Sequence, residues 1–142
     1  MLLIVIFTAT TTYKLSYPMR KSLIRLFTET KWIAWLWTLC ILLACTIPGK
    51  SIPSSPVIGF DKVVHIGLFG VWIVLWLLAT KRNAIACIAA GIIYGVALEI
   101  YQQLLPFDRT FDWWDALADA VGVLLGYYFK IFVLDRYLQR LY

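Results

Sequence analysis

At 142 residues, 62% hydrophobic and only 15% charged, the chain lies outside soluble-globular composition and within the membrane class. Its formal charge of +5 forms no basic stripe on a soluble element, so no nucleic-acid partner is expected; Lys and Arg facing anionic lipid account for it. Cys40, Cys45 and Cys87 all fall in apolar runs, are odd in number and lack metal-ligand spacing, so they imply no disulfide framework.

Residues 1–13 are apolar but too short to span, and they lack the basic region and small-residue cleavage site of a signal peptide. Residues 14–31 carry Lys14, Arg20, Lys21, Arg25 and Lys31 against the single acid Glu29, which predicts an amphipathic lead-in resting on the inner leaflet. Four apolar runs follow. The first, 32–47, stops at Pro48 and is short, so it is expected to extend back through Leu23, Ile24, Leu26 and Phe27, or to sit in a thin bilayer. Runs 63–80, 84–105 and 116–134 approach the roughly 20 residues that a span requires. The predicted architecture is an all-α membrane protein: a basic cytoplasmic or interfacial segment at 1–31, then a four-span transmembrane helical bundle at 32–142.

Basic residues set the orientation. Five precede the first span, Lys81 and Arg82 form the turn after the second, and Lys130, Arg136 and Arg140 cluster at the C-terminal end, whereas only Lys50, Lys62 and Arg109 lie opposite. The positive-inside rule then puts both termini in the cytoplasm of a multi-pass plasma-membrane protein. Trp113 and Trp114 suit an outer aromatic belt, and Trp32, Trp35 and Trp37 an inner one.

In this topology the costly residues gather at one leaflet. Asp61, Lys62 and His65 open the second span, Glu99, Gln102 and Gln103 close the third, and Arg109, Asp112, Asp115 and Asp119 open the fourth. Ionisable groups in or just beneath a membrane surface usually mark a site. Gly91, Gly95, Glu99 and Gln103 recur every fourth residue, as do Asp115 and Asp119 above Gly122 and Gly126, so each polar set tops a seam of close packing. Asp61, Lys62, His65, Glu99, Gln102, Gln103, Arg109, Asp115 and Asp119 are the candidate ligand-binding residues. A structural alternative stands beside this: pairs such as His65–Glu99 or Arg109–Asp115 can clamp helix ends, and glycine seams are commonly plain packing.

The order Asp61-Lys62-x-x-His65, Glu99-x-x-Gln102, then Arg109, Asp115, residue 119, Gly122 and Gly126 resembles the VanZ-like family over roughly residues 60–129. The family takes its name from a membrane protein of glycopeptide-resistance gene clusters associated with low-level teicoplanin resistance. The resemblance implies an integral membrane protein of the bacterial envelope. Its pattern usually reads Asn where this chain has Asp119.

Three functional classes follow. A binding protein would hold a membrane lipid or lipid-linked amphiphile, its head group meeting Lys62, His65 and Arg109. A membrane-embedded hydrolase or transferase would use His65 as general acid or base with Glu99 as its partner, Asp115 as a further catalytic candidate and Arg109 stabilising negative charge. A structural or assembly protein would use the cluster only to set helix register. The set His65, Glu99, Asp115 and Asp119 has hard-ligand character better suited to magnesium or manganese than zinc. One histidine without short ligand spacing does not define a metal site, however, and no metal or other cofactor is expected. No nucleophile elbow, HExxH or phosphate-binding glycine loop is present.

Overall fold

The computed structural model describes residues 31–47, 59–80, 83–106 and 110–139. The expected amphipathic lead-in, the backward extension of the first span and Arg109 lie outside these residues. Among them the chain is helical throughout: α1 (Lys31–Cys45), α2 (Phe60–Ala79), α3 (Ala84–Leu104) and α4 (Trp113–Phe129), which runs through a π-helical turn (Lys130–Leu134) into the short α5 (Asp135–Gln139). Local chemistry sets several boundaries. Gly59 starts α2 in the left-handed region at φ 80°. The Asn83 and Asp112 side chains cap α3 and α4 by accepting from the N–H groups of Ile85 (3.0 Å) and Trp114 (2.8 Å). In the π turn the Asp135 N–H donates to the Lys130 carbonyl. That five-residue step also brings Lys130 Nζ to 3.0 Å from the Asp135 carboxylate.

Among the described residues, three helices are long and apolar enough to cross a membrane: Phe60–Ala79, Ala84–Leu104 and the continuous 27-residue Trp113–Gln139. The 15-residue α1 is shorter, about 22 Å at 1.5 Å per residue. The fourth predicted span, 116–134, thus begins three residues earlier and continues to Gln139, because Asp112 provides a cap and the π turn absorbs Lys130 and Asp135 without ending the helix. Side chains such as Val63, Ile93, Leu117 and Leu125 stay exposed around the outside. An apolar exterior of this kind belongs in lipid. The chain is a multi-pass helical membrane protein.

Two contacts fix how the helices meet. Between α2 and α4 the backbones touch: a Cβ on Gly122 would stand 2.5 Å from the Ile66 carbonyl oxygen, and one on Gly126 would collide with the Gly70 carbonyl. The second seam joins α3 to its neighbours, where Gly91 lies against Val123 and Trp72. Around these seams Phe69, Trp72 and Ile73 of α2, Cys87 and Leu98 of α3, Val123 of α4 and Ile41 of α1 form the core. Polar contacts add to the apolar packing of the shorter α1. Thr38 Oγ1 donates to the Ala34 carbonyl (2.7 Å) and accepts from the indole N–H groups of Trp72 (2.9 Å) and Trp76 (3.2 Å). The Tyr94 hydroxyl donates to the Thr38 carbonyl (2.7 Å), and the Trp37 indole to the Leu68 carbonyl (3.0 Å). Trp37 therefore ties α1 to α2 and does not serve as an interfacial anchor, whereas Trp32 and Trp35 are exposed as a belt requires.

Candidate functional site

The N-terminal ends of α2 and α4 and the C-terminal end of α3 meet at one end of the bundle, and they bring the polar residues together in two layers. The upper layer is a rim built around Lys62. Its ammonium donates to Asp61 (2.8 Å), to Asp112 (2.8 Å) and to Asp115 (2.5 Å). The exposure of these side chains grades from 60% at Asp61 to 16% at Asp115, so the rim opens outward at Asp61 and closes inward at Asp115. Lys62 thus spends its three N–H donors on three carboxylates, leaving the rim with a surplus of two negative charges. Beside Asp112, which precedes the fourth span, the Lys62 ammonium holds the carboxyl below its ordinary range.

Beneath the rim lies a buried floor. His65 Nδ1 is 2.9 Å from Asp119 Oδ1, and its Nε2 lies 3.9 Å from Asp115 Oδ2 on the rim side. Glu99 Oε2 accepts from the Asp112 backbone N–H at 3.2 Å, so α3 meets the start of α4 there. Glu99 and Asp119 are each only 1% exposed. Each also keeps one buried oxygen, Glu99 Oε1 and Asp119 Oδ2, with no hydrogen-bond partner among the described residues. A carboxylate oxygen removed from water without a donor is costly, and more so in the low-dielectric surroundings of a bundle core. Packing places one of them: Asp119 Oδ2 would stand 2.9 Å from a Cβ on Gly95, one turn before Glu99 on the same face of α3. A glycine at 95 therefore makes room for the carboxylate of another helix.

Asp61, Lys62, His65, Glu99, Asp115 and Asp119 converge as the sequence suggests. Gln102 is buried on the same face of α3, but Gln103 is exposed and leaves the cluster. Four-residue steps advance about 400° around a helix of 3.6 residues per turn, so the stripe drifts about 40° each time and Gln102 replaces Gln103 by the third step. Two pairings also differ from expectation. The direct partner of His65 is Asp119, while Glu99 serves the α4 N-terminus. Asp112, left out of the expected site, caps α4, pairs with Lys62 and donates its N–H to Glu99. The signal that identifies it is an acid three residues before a second acid at the start of an apolar run, a helix N-terminal pattern.

Fold and site together define a multi-pass helical membrane protein with a two-layered acidic, histidine-containing cluster at one end of its bundle. The family model for VanZ/LLP1 matches residues 1–134, and the chain belongs to that family. The match reaches well beyond the motif-bearing residues 60–129. No curated protein and no solved structure matches the chain.

Proposed function

We propose that the rim engages the head group of an amphiphilic or lipid-linked ligand at the outer leaflet, and that this engagement alters the sensitivity of the envelope to glycopeptides such as teicoplanin. In this reading the protein sits in the plasma membrane with both termini cytoplasmic. The observation that carries the proposal is the composition of the rim: three carboxylates surround one ammonium at a partly exposed end of a lipid-facing bundle. Lys62 is already saturated, so the rim favours a head group rich in hydrogen-bond donors, such as hydroxyls, amides or an ammonium, over a bare phosphate. An acyl or polyprenyl tail would then lie against the apolar exterior of α2 and α4. Asp115→Asn tests this in a glycopeptide-sensitive host, with membrane abundance measured alongside. The proposal predicts that wild type shifts teicoplanin susceptibility and that the variant, at equal abundance, does not. No shift from wild type, or a full shift from the variant, contradicts it.

A second reading rests on one specific contact. Asp119 holds His65 at 2.9 Å through Nδ1, which leaves Nε2 on the side of the rim. An oriented carboxylate–imidazole pair is the arrangement that positions a general base, so a hydrolase or transferase acting on the same amphiphile shares the site. Turnover of a lipid-linked envelope precursor by purified protein, lost in His65→Gln, would establish it.

A further inference from the structure

His65, Glu99 and Asp119 come from three different helices, yet one imidazole nitrogen and one oxygen of each carboxylate lie within 4.8 Å of one another. Two further facts point into this space. Glu99 Oε1 and Asp119 Oδ2 are buried without a hydrogen-bond partner among the described residues, in side chains 1% exposed. Asp119 Oδ2 also rests over Gly95, on the face of α3 that carries Glu99. We infer that the floor binds a first-row divalent metal ion of the zinc or manganese kind through His65, Glu99 and Asp119.

Charge supports the assignment. As ligands, two carboxylates and a neutral imidazole would carry a charge of −2, which a divalent ion cancels, and the Lys62 ammonium, the nearest among the described residues, is shared among Asp61, Asp112 and Asp115. Ligand chemistry selects among cations: with Asp115 outside the set, one imidazole stands beside two carboxylates and not three, which moves the preference from the magnesium or manganese expected of the four-residue set to zinc or manganese over the all-oxygen cations magnesium and calcium. Geometry is compatible as well. Donors about 2.0–2.2 Å from an ion stand at most about 4.4 Å apart, so a spread within 4.8 Å closes with small side-chain rotations. Asp115, on the rim side of His65, is placed to hold the imidazole or a metal-bound water. The ligands are spread over positions 65, 99 and 119, so no short spacing announces them in the sequence, and the absence of a metal expected from that spacing gives way to this proposal.

The test uses the full chain in detergent, stripped with chelator and titrated separately with zinc, manganese and magnesium. Elemental analysis after desalting and the thermal midpoint are the readouts. Expected are one equivalent of zinc or manganese per chain, a raised midpoint, and no comparable response to magnesium. Glu99→Gln and Asp119→Asn should each weaken binding by at least the roughly 10–100-fold that loss of even an outer partner costs. Asp61→Asn, on the exposed rim, should keep wild-type affinity. Substoichiometric binding by wild type, an equal response to magnesium, or undiminished binding by both carboxamide variants would overturn the assignment. The wild-type stoichiometry and selectivity decide even if the variants fail to fold. No amphiphile is present, so the outcome is independent of the rim's proposed ligand.

Discussion

Replacing Thr38 with valine probes how the short α1 is held in the bundle. The Thr38 hydroxyl uses its one hydrogen on the Ala34 carbonyl and both lone pairs on the indoles of Trp72 and Trp76. Valine keeps the branched shape but leaves two indole N–H groups of α2 without an acceptor. Hydrogen bonds between membrane helices average about 0.6 kcal/mol and reach about 1.7 kcal/mol. Loss of the bond to Ala34 adds little, since that carbonyl still lies within the α1 hydrogen-bond ladder. Two indole bonds at the average, with some residual penalty for stranded donors, give a loss of about 1–2 kcal/mol, or a factor of roughly 5–30 in the folding equilibrium. The assay is equilibrium unfolding in mixed micelles, followed by tryptophan fluorescence. A double-mutant cycle with Trp72→Phe isolates the pair, because Phe removes the donor while keeping most of the ring. Wild-type stability in Thr38→Val, or strict additivity in the cycle, would refute the reasoning and leave α1 held by apolar contact and the Trp37 and Tyr94 hydrogen bonds.

The glycine seam makes a graded prediction: Gly122→Ala and Gly126→Ala place a methyl group against the backbone carbonyls of Ile66 and Gly70. Each should cost about 1–3 kcal/mol by overpacking, read as lowered membrane abundance and thermal midpoint. Gly67→Ala, on the open side of α2 with nothing within 4 Å of its added Cβ, should be neutral or stabilising, and equal behaviour of all three would break the seam assignment. For orientation, a cysteine at Ser55 in a background lacking Cys40, Cys45 and Cys87 should react with a membrane-impermeant reagent on intact spheroplasts, and one at Asn83 only after lysis. The reverse pattern would place the rim in the cytoplasm.

The fold was largely legible because its signals are local. Apolar run length reports on one segment at a time, and it yields helices of nearly the expected bounds. The glycines at 91, 95, 122 and 126 marked the buried faces, since close approach of backbones leaves a trace in composition. What remained hidden depends on two helices at once. Whether His65 meets Glu99 or Asp119 is decided by relative rotation and translation, and neither quantity is encoded in the spacing along one helix. The same limit concealed Thr38 and Trp37, an ordinary threonine and an apparent belt residue until α2 is set beside them. Gln103 was misplaced for a simpler reason, because a strict four-residue stripe drifts around the helix and three steps suffice to carry it out of the cluster. Asp112 was visible as a charge, but its threefold role required the ends of α2, α3 and α4 to be in place together.

The central claim is that the buried floor exists for what it binds and does not merely clamp the helices. Glu99→Gln tests this most directly, since its carbonyl can still accept from the Asp112 N–H while its amide can donate toward the unpartnered Asp119 oxygen. Thermal midpoint and membrane abundance should be measured beside teicoplanin susceptibility in the same host. A site that tolerates uncompensated buried carboxylates gives up stability for function, so the metal-free variant should be at least as stable as metal-free wild type and should stay in the membrane while losing the phenotype. A variant that unfolds or vanishes from the membrane, as when one member of a buried pair is stranded, would contradict the claim and identify the floor as a clamp.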